Sequence, residues 1–210
     1  MKDIRIGILS IQGDIEESLS MTNRALNELA SKGTAVPVKY AEEIANIDGL
    51  VLPGGESTVI GTLANLSGAT HLIKDRIQDG MPVMGTCAGM IMLAKRAYDR
   101  VVGETKQQLL HILDITVERN AFGRQNDSFE AELNIPLIGK EHFAGVFIRA
   151  PIVKEMRNGE AITTLNNKVV AVKHGSVIAT AFHPELSGDT RLHKYFVQLV
   201  IDYLNTNAIS

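Results

Sequence analysis

The sequence predicts an α/β protein built on a doubly wound, mostly parallel sheet with helices on both faces and added antiparallel strands. Three observations carry this. Short apolar runs alternate with helical stretches over the first hundred residues, closely spaced β-like runs follow, and a last helix closes the chain. "IRIGILSI" (Ile4 to Ile11) is rich in β-branched residues and stops at Gly13, as a buried parallel strand does. A helix is expected from about Ile15 to Leu29. "TAVPVKY" follows as a second strand, which Pro37 directs to a sheet edge or an irregularity. "GLVLPGG" (Gly49 to Gly55) is a third strand ending in a glycine turn, with Glu56 and Ser57 opening a helix. "MPVMG" (Met81 to Gly85) is a fourth, and "AGMIMLAKRAY" behind it reads as a helix. After about residue 105, "LDITVERN", "DSFEAELNI", "AGVFIRAP", "EAITTL", "KVVAVKHG" and "SVIATAFHP" predict antiparallel hairpins that extend or flank the main sheet. Leu192, Phe196, Leu199, Val200, Tyr203 and Leu204 recur at helical spacing, so a helix is expected near Thr190 to Asn205, capped by Ser187 or Asp189.

No repeat, low-complexity tract or long polar linker interrupts the 210 residues, and one domain over 1–210 is expected. With 45% hydrophobic and 21% charged residues and a formal charge of −3, the chain reads as an ordinary soluble protein. It lacks the basic excess of a phosphate-backbone binder, so nucleic acid is not an expected partner. A single cysteine excludes an internal disulfide and any metal site built on several thiolates; no metal or cofactor is expected. The longest weakly apolar segment, Met81 to Ala94, falls short of the ~20 residues of a membrane span. "MKDIRIGILSIQGD" turns polar too soon for a secretory signal, and a cytoplasmic protein is expected.

That one cysteine lies in "PVMGTCAGMIML", where a strand runs into a helix with almost no connection. Such a junction is a nucleophile elbow: Gly85 and Gly89 remove side chains where strand and helix meet, with Cys87 in the place of the more familiar serine. Unpaired N–H groups at a helix start favour the thiolate, and the N–H of Ala88 would point at a developing oxyanion. A free cysteine in an apolar stretch is as readily a small core residue, so the rest of the constellation has to decide. Among His71, His111, His142, His174, His183 and His193, only "AFHPEL" sets a histidine two residues before a carboxylate at the end of an expected strand. Two such residues in an extended chain project to one side, so Glu185 would hold the His183 imidazole while His183 faces Cys87. In "LPGGES", Gly54 and Gly55 expose backbone N–H groups and Gly55 would supply the other oxyanion donor; by itself Pro-Gly-Gly is an ordinary turn before a serine helix cap.

"PGGEST", "GTCAGMIMLA", "VERNAFGRQNDSFE", "GVFIRAP" and "FHPEL", in this order, resemble the PdxT/SNO-type class I glutamine amidotransferases, the glutaminase subunits of pyridoxal 5′-phosphate synthase. The likeness runs from "IGILSIQG" to the last helix. It implies a flavodoxin-like fold, Cys87, His183 and Glu185 as the triad, and glutamine contacts by Gly55, Glu56, Ser57, Arg119, Ile148 and Arg149. The residue types suit a zwitterion: Arg119 or Arg149 can meet the α-carboxylate and Glu56 the α-ammonium. The resemblance further implies ammonia delivery to a lyase subunit of the PdxS/SNZ type in a large hetero-oligomer, with little activity until that partner docks. The sequence departs from many members at Asp14, where they carry a small residue; an acidic group near the mouth bears on docking and is expected to leave the triad untouched. An amidotransferase of another pathway and a DJ-1/PfpI-like cysteine stress protein are the alternatives. "VERNAFGRQNDSFE" argues against the first and the late His-x-Glu pair against the second.

Overall fold

The structure, a computed structural model, describes residues 3–122 and 128–207. Residues 123–127, the "GRQND" of "VERNAFGRQNDSFE", lie outside the described residues.

The first strand, β1 (Ile4–Leu9), lies between β2 (Gly33–Val38) and β3 (Gly49–Leu52). β3 is followed in space by β4 (Val83–Thr86) and then by β13 (Val177–Thr180), and every pairing in this block is parallel. All residues of β3, β4 and β13 are buried. That is why their sequences are continuous apolar or small runs with no polar alternation: a parallel strand covered on both faces has no side to give to water. β2 is the edge strand, and Pro37 sits there opposite Ile8, where one missing N–H is tolerated.

Beyond β13 the sheet continues through β12 (Lys168–His174), β10 (Ile152–Met156), β7 (Leu113–Glu118), β5 (Ala94–Asp99) and β6 (Gly103–Glu104), with β11 (Glu160–Leu165) paired to β12. These pairings are antiparallel except β5 with β7. β8 (Ser128–Leu133) and β9 (Phe143–Ile148) form a separate antiparallel pair. The expected extending and flanking hairpins are therefore both present.

One expected element differs. "AGMIMLAKRAY" is a helix only over α5 (Ala88–Leu93); at Ala94 the chain extends, with φ −66° and ψ 158°, and becomes β5. Ala-Lys-Arg-Ala favours helix, but Ala94 and Ala97 are fully buried and β5 gains a ladder with β7, so tertiary pairing outweighs local propensity. β6 and β10 are also strands that no sequence pattern predicted.

The other helices are α1 (Ile15–Glu28), α2 (Ala41–Ile44), α3 (Ser57–Leu66), α4 (Ala69–Gln78) and α6 (Arg191–Asn207). α1 packs on α6, while α3 packs on α4 and α5, giving two helix groups against the sheet. Asp189 Oδ1 accepts from the Arg191 N–H at 2.9 Å, so one of the two expected caps closes α6. Among the described residues no helix is long and apolar enough to cross a membrane.

The strand order 2-1-3-4 reverses direction between β1 and β3. Open α/β sheets bind ligands beyond the carboxyl ends of their strands at such a switch point. Here those ends are the loops after β1 and β3, the junction after β4 and the turn after β13.

Candidate active site

β4 ends at Thr86 and α5 begins at Ala88, leaving Cys87 between them with φ 49° and ψ −99°. A side chain at positive φ is strained, and the surroundings impose it. The Cys87 N–H donates to Thr180 O on β13 at 2.8 Å, tying the elbow to the neighbouring strand. Glycine is required behind it: a Cβ on Gly89 would stand 2.1 Å from Leu52 O, and one on Gly85 2.7 Å from Gly89 C. The thiol is buried, and its Sγ donates to Ile148 O at 3.7 Å.

After β13, the His183 N–H donates to Val146 O on β9 at 2.8 Å and a 3-10 turn (Pro184–Leu186) follows. His183 Nδ1 lies 2.9 Å from Glu185 Oε1, and both side chains are shielded from water. The expected pair is thus formed, across a turn that Pro184 initiates and not along an extended strand. Thr86 Oγ1 donates to the same Glu185 oxygen at 3.5 Å. Burial pushes the Glu185 carboxyl up, and the imidazole pulls it partly back. His193 is fully buried on α6 and burial pushes it down to about 3, so it is a neutral core residue. His71, His111, His142 and His174 are exposed.

Asp14 overturns one expectation. Its Oδ2 lies 3.1 Å from His183 Nδ1, so it contacts the histidine of the expected triad directly. Two carboxylates converge on one ring nitrogen, and His183 is pushed up to about 12: burial acts against the charge, while Asp14, the Cys87 thiol and Glu185 together outweigh it. Asp14 itself is held below the usual carboxylate range, chiefly by its hydrogen bond from His183. Nε2 has no hydrogen-bond partner among the described residues, which leaves it free for the thiol or a substrate. Asp14, His183 and Glu185 are also the described groups whose ligand atoms cluster within 4.8 Å. Convergence on a single nitrogen suits a shared proton; a cation would have to displace it.

The rim is built differently. Gly55 is exposed at φ 151°, and the Glu56 N–H beside it donates to Gln12 Oε1 at 2.7 Å. Glu56 Oε1 caps α3, accepts from Thr58 Oγ1 at 2.9 Å and forms an ion pair with Arg119 at 2.7 Å. Burial raises the Glu56 carboxyl, and Thr58 and Arg119 more than offset it. Ser57 is buried, and its Oγ and the Arg119 guanidinium share Gln107 Oε1 at 3.3 and 3.5 Å. Ile148 reaches the thiol through its carbonyl, and Arg149 next to it has φ 44°, is exposed and makes no ion pair with a described residue. Ala88 opens α5, so its N–H is one of the first-turn donors without a helical acceptor. Gly55, Glu56, Ser57, Cys87, Ala88, His183 and Glu185 follow the ends of β3, β4 and β13, whereas Arg119 follows β7 and Ile148 and Arg149 stand at the end of β9, reaching the site through Glu56 and the Cys87 thiol. Gln12 and Gln107 were missed; "SIQGD" at a strand end was a signal for Gln12, but nothing local marked Gln107.

A cysteine on a strand–helix elbow, with a buried histidine–carboxylate pair at the same end of a parallel sheet, defines a thiol-dependent acyl-transfer class of α/β protein. The chain belongs to the SNO glutamine amidotransferase family, whose model matches residues 8–202. It is 50% identical over 197 residues to the pyridoxal 5′-phosphate synthase subunit PdxT of Nitrosopumilus maritimus, covering 93% of this chain and 96% of that protein. It is 45% identical to the PdxT of Pyrococcus furiosus, covering 94% and 100%. A crystal structure of a glutamine amidotransferase superposes with a TM-score of 0.80 at 41% identity, over 93% of this chain and 98% of the other. A Thermotoga maritima glutamine amidotransferase, 14% identical with a TM-score of 0.62 over 100% of this chain and 87% of that one, shares the fold.

Proposed function

We propose that the protein is the glutaminase subunit of a pyridoxal 5′-phosphate synthase, hydrolysing L-glutamine to L-glutamate and ammonia and passing the ammonia to a lyase subunit of the PdxS/SNZ type. The observation that carries the reading is Cys87 on its elbow beside the buried His183–Glu185 pair, in a chain of this family.

The Cys87 thiolate attacks the side-chain carbonyl carbon of glutamine; the C–S bond forms and the carbonyl π pair moves to oxygen. N–H groups of Gly55 and Ala88 receive that oxyanion, each donor contributing about 3 kcal/mol. The pair returns, the C–N bond breaks, and His183 gives its Nε2 proton to the departing nitrogen, which leaves as ammonia. Water then adds to the thioester while His183 takes its proton, the C–S bond breaks, and glutamate and the thiolate are released. Glu185 keeps the Nδ1–H in place throughout. The Arg119–Glu56 pair offers a cation and an anion to the two charges of the amino acid's backbone end, with Arg149, Ser57 and Ile148 completing the pocket. The whole chain acts as one glutaminase unit in the cytoplasm, within a large hetero-oligomer.

Glutamate release from glutamine, measured with and without a candidate synthase subunit, tests this. Turnover is expected in the complex and its loss on Cys87→Ala; near-normal turnover of that variant would end the covalent mechanism. The Gly55 peptide can rotate at little steric cost, so docking is expected to raise kcat much more than it lowers KM, an oxyanion bond being stronger in the transition state than in the ground state.

A further inference from the structure

Asp14 occupies the N-cap position of α1, where an aspartate ordinarily accepts from the first N–H groups of the helix. Here it makes no such bond. Its carboxylate is turned toward His183, 3.1 Å from Nδ1, on a side chain only one-third exposed. Turning toward the imidazole forgoes the stabilisation that an N-cap carboxylate ordinarily gives its helix. The same short loop is fastened to the glycine turn: the Asp14 N–H donates to Gly54 O at 3.2 Å, and Gln12 Oε1 accepts from the Glu56 N–H at 2.7 Å. Gly54 allows this approach, since a Cβ there would stand 2.3 Å from His183 Cε1 and 2.5 Å from Asp14 Oδ2.

Resting on the function proposed above, we infer that Asp14 is a positioning residue for the reaction: a second carboxylate on His183 Nδ1, mounted on the loop that holds the Gly54–Gly55 turn. The Asp14 carboxylate and the oxyanion turn then move as one unit against the fixed ring, so a partner pressing on either loop changes the carboxylate's approach to Nδ1 and the set of the turn together. The two carboxylates divide the work. Glu185 is enclosed and fixes the ring, whereas Asp14 is partly solvated and remains the better anion, as the opposite directions of their proton affinities reflect. The titratable groups facing His183 are Asp14 from the loop after β1, Cys87 from the elbow and Glu185 from its own turn. β9, packed on that turn, brings no charged side chain, and Glu16 and Glu17 of α1 are exposed.

The test uses the glutaminase–synthase complex with Asp14→Asn, Asp14→Ser, Glu185→Gln and the Asp14→Asn/Glu185→Gln double variant. Asn and Ser both cap helices, so a role limited to α1 would be preserved in them. Removing an anion beside His183 makes its imidazolium easier to deprotonate, so the neutral form needed in the second half-reaction arises at lower pH. The rising limb of the kcat profile should move toward acid by about one unit, with KM nearly unchanged. The double variant should lose more than the product of the single losses, because either single change leaves one carboxylate on the ring. The 15N signals of His183 in the free subunit should show the same easier deprotonation for Asp14→Asn. Wild-type pH profiles in Asp14→Asn and Asp14→Ser, or multiplicative losses in the double variant, would overturn the inference. Failure of the wild-type complex to release glutamate, with the 15N shift still seen, would instead sink the function and leave Asp14 as a partner of His183.

Discussion

The floor and the rim of the site are held by different means. On the floor, Cys87, His183 and Glu185 hang on the ends of β4 and β13, and their backbones are fastened to neighbouring strands through Thr180 O and Val146 O. On the rim, Gly55 and Arg149 are exposed, both at positive φ, and the loops are joined to one another by side-chain contacts such as Gln12 with the Glu56 N–H. The difference fits the proposed division of roles: a thiol and an imidazole that would make and break bonds are held fixed, whereas the Gly55 turn and Arg149, which would meet substrate and partner, are left free to move.

Replacing His183 strikes the floor hardest. His183→Ala in the complex is expected to lower kcat by roughly 10²–10⁴, since proton transfer to nitrogen and from water both depend on it. Glu185→Gln should be milder, because it only orients the ring and Asp14 still contacts Nδ1. Equal residual rates at saturating partner would break this division. A steric probe comes next. Gly89→Ala forces a Cβ toward Leu52 O, 2.1 Å away, between two rigid backbones. A loss of about 3 kcal/mol is expected, seen as a thermal midpoint lowered by roughly 10 °C; an unchanged midpoint would mean the elbow is as pliable as the rim. The smallest effect belongs to the rim itself. Arg149→Ala should raise KM for glutamine by about tenfold, one charge-assisted hydrogen bond, with the melting curve unchanged. A fall in kcat at constant KM would move Arg149 from substrate binding to the chemistry.

The elbow was legible because its demands are local: a cysteine between glycines at a strand–helix junction follows from the close approach of two backbones. His183 with Glu185 was legible for the same reason, two residues apart in one turn. Asp14 was misjudged, since nothing in "SIQGD" says that its carboxylate leaves a helix cap for an imidazole 169 positions further along the chain. Gln107 escaped for the same reason, being joined to Ser57 and Arg119 only by folding.

By itself, then, the sequence determined the buried parallel strands, the glycine turns, the cysteine elbow and the histidine–carboxylate pair, because backbone sterics and the burial of apolar runs act within a few residues. The tertiary structure alone decided that Ala94–Asp99 would pair as β5 instead of continuing α5, and that two carboxylates would meet on His183 Nδ1. Both outcomes depend on which distant strands and loops become neighbours, and the free energy that selects them, a ladder with β7 in one case and an ion pair across the switch point in the other, exists only after the sheet has assembled.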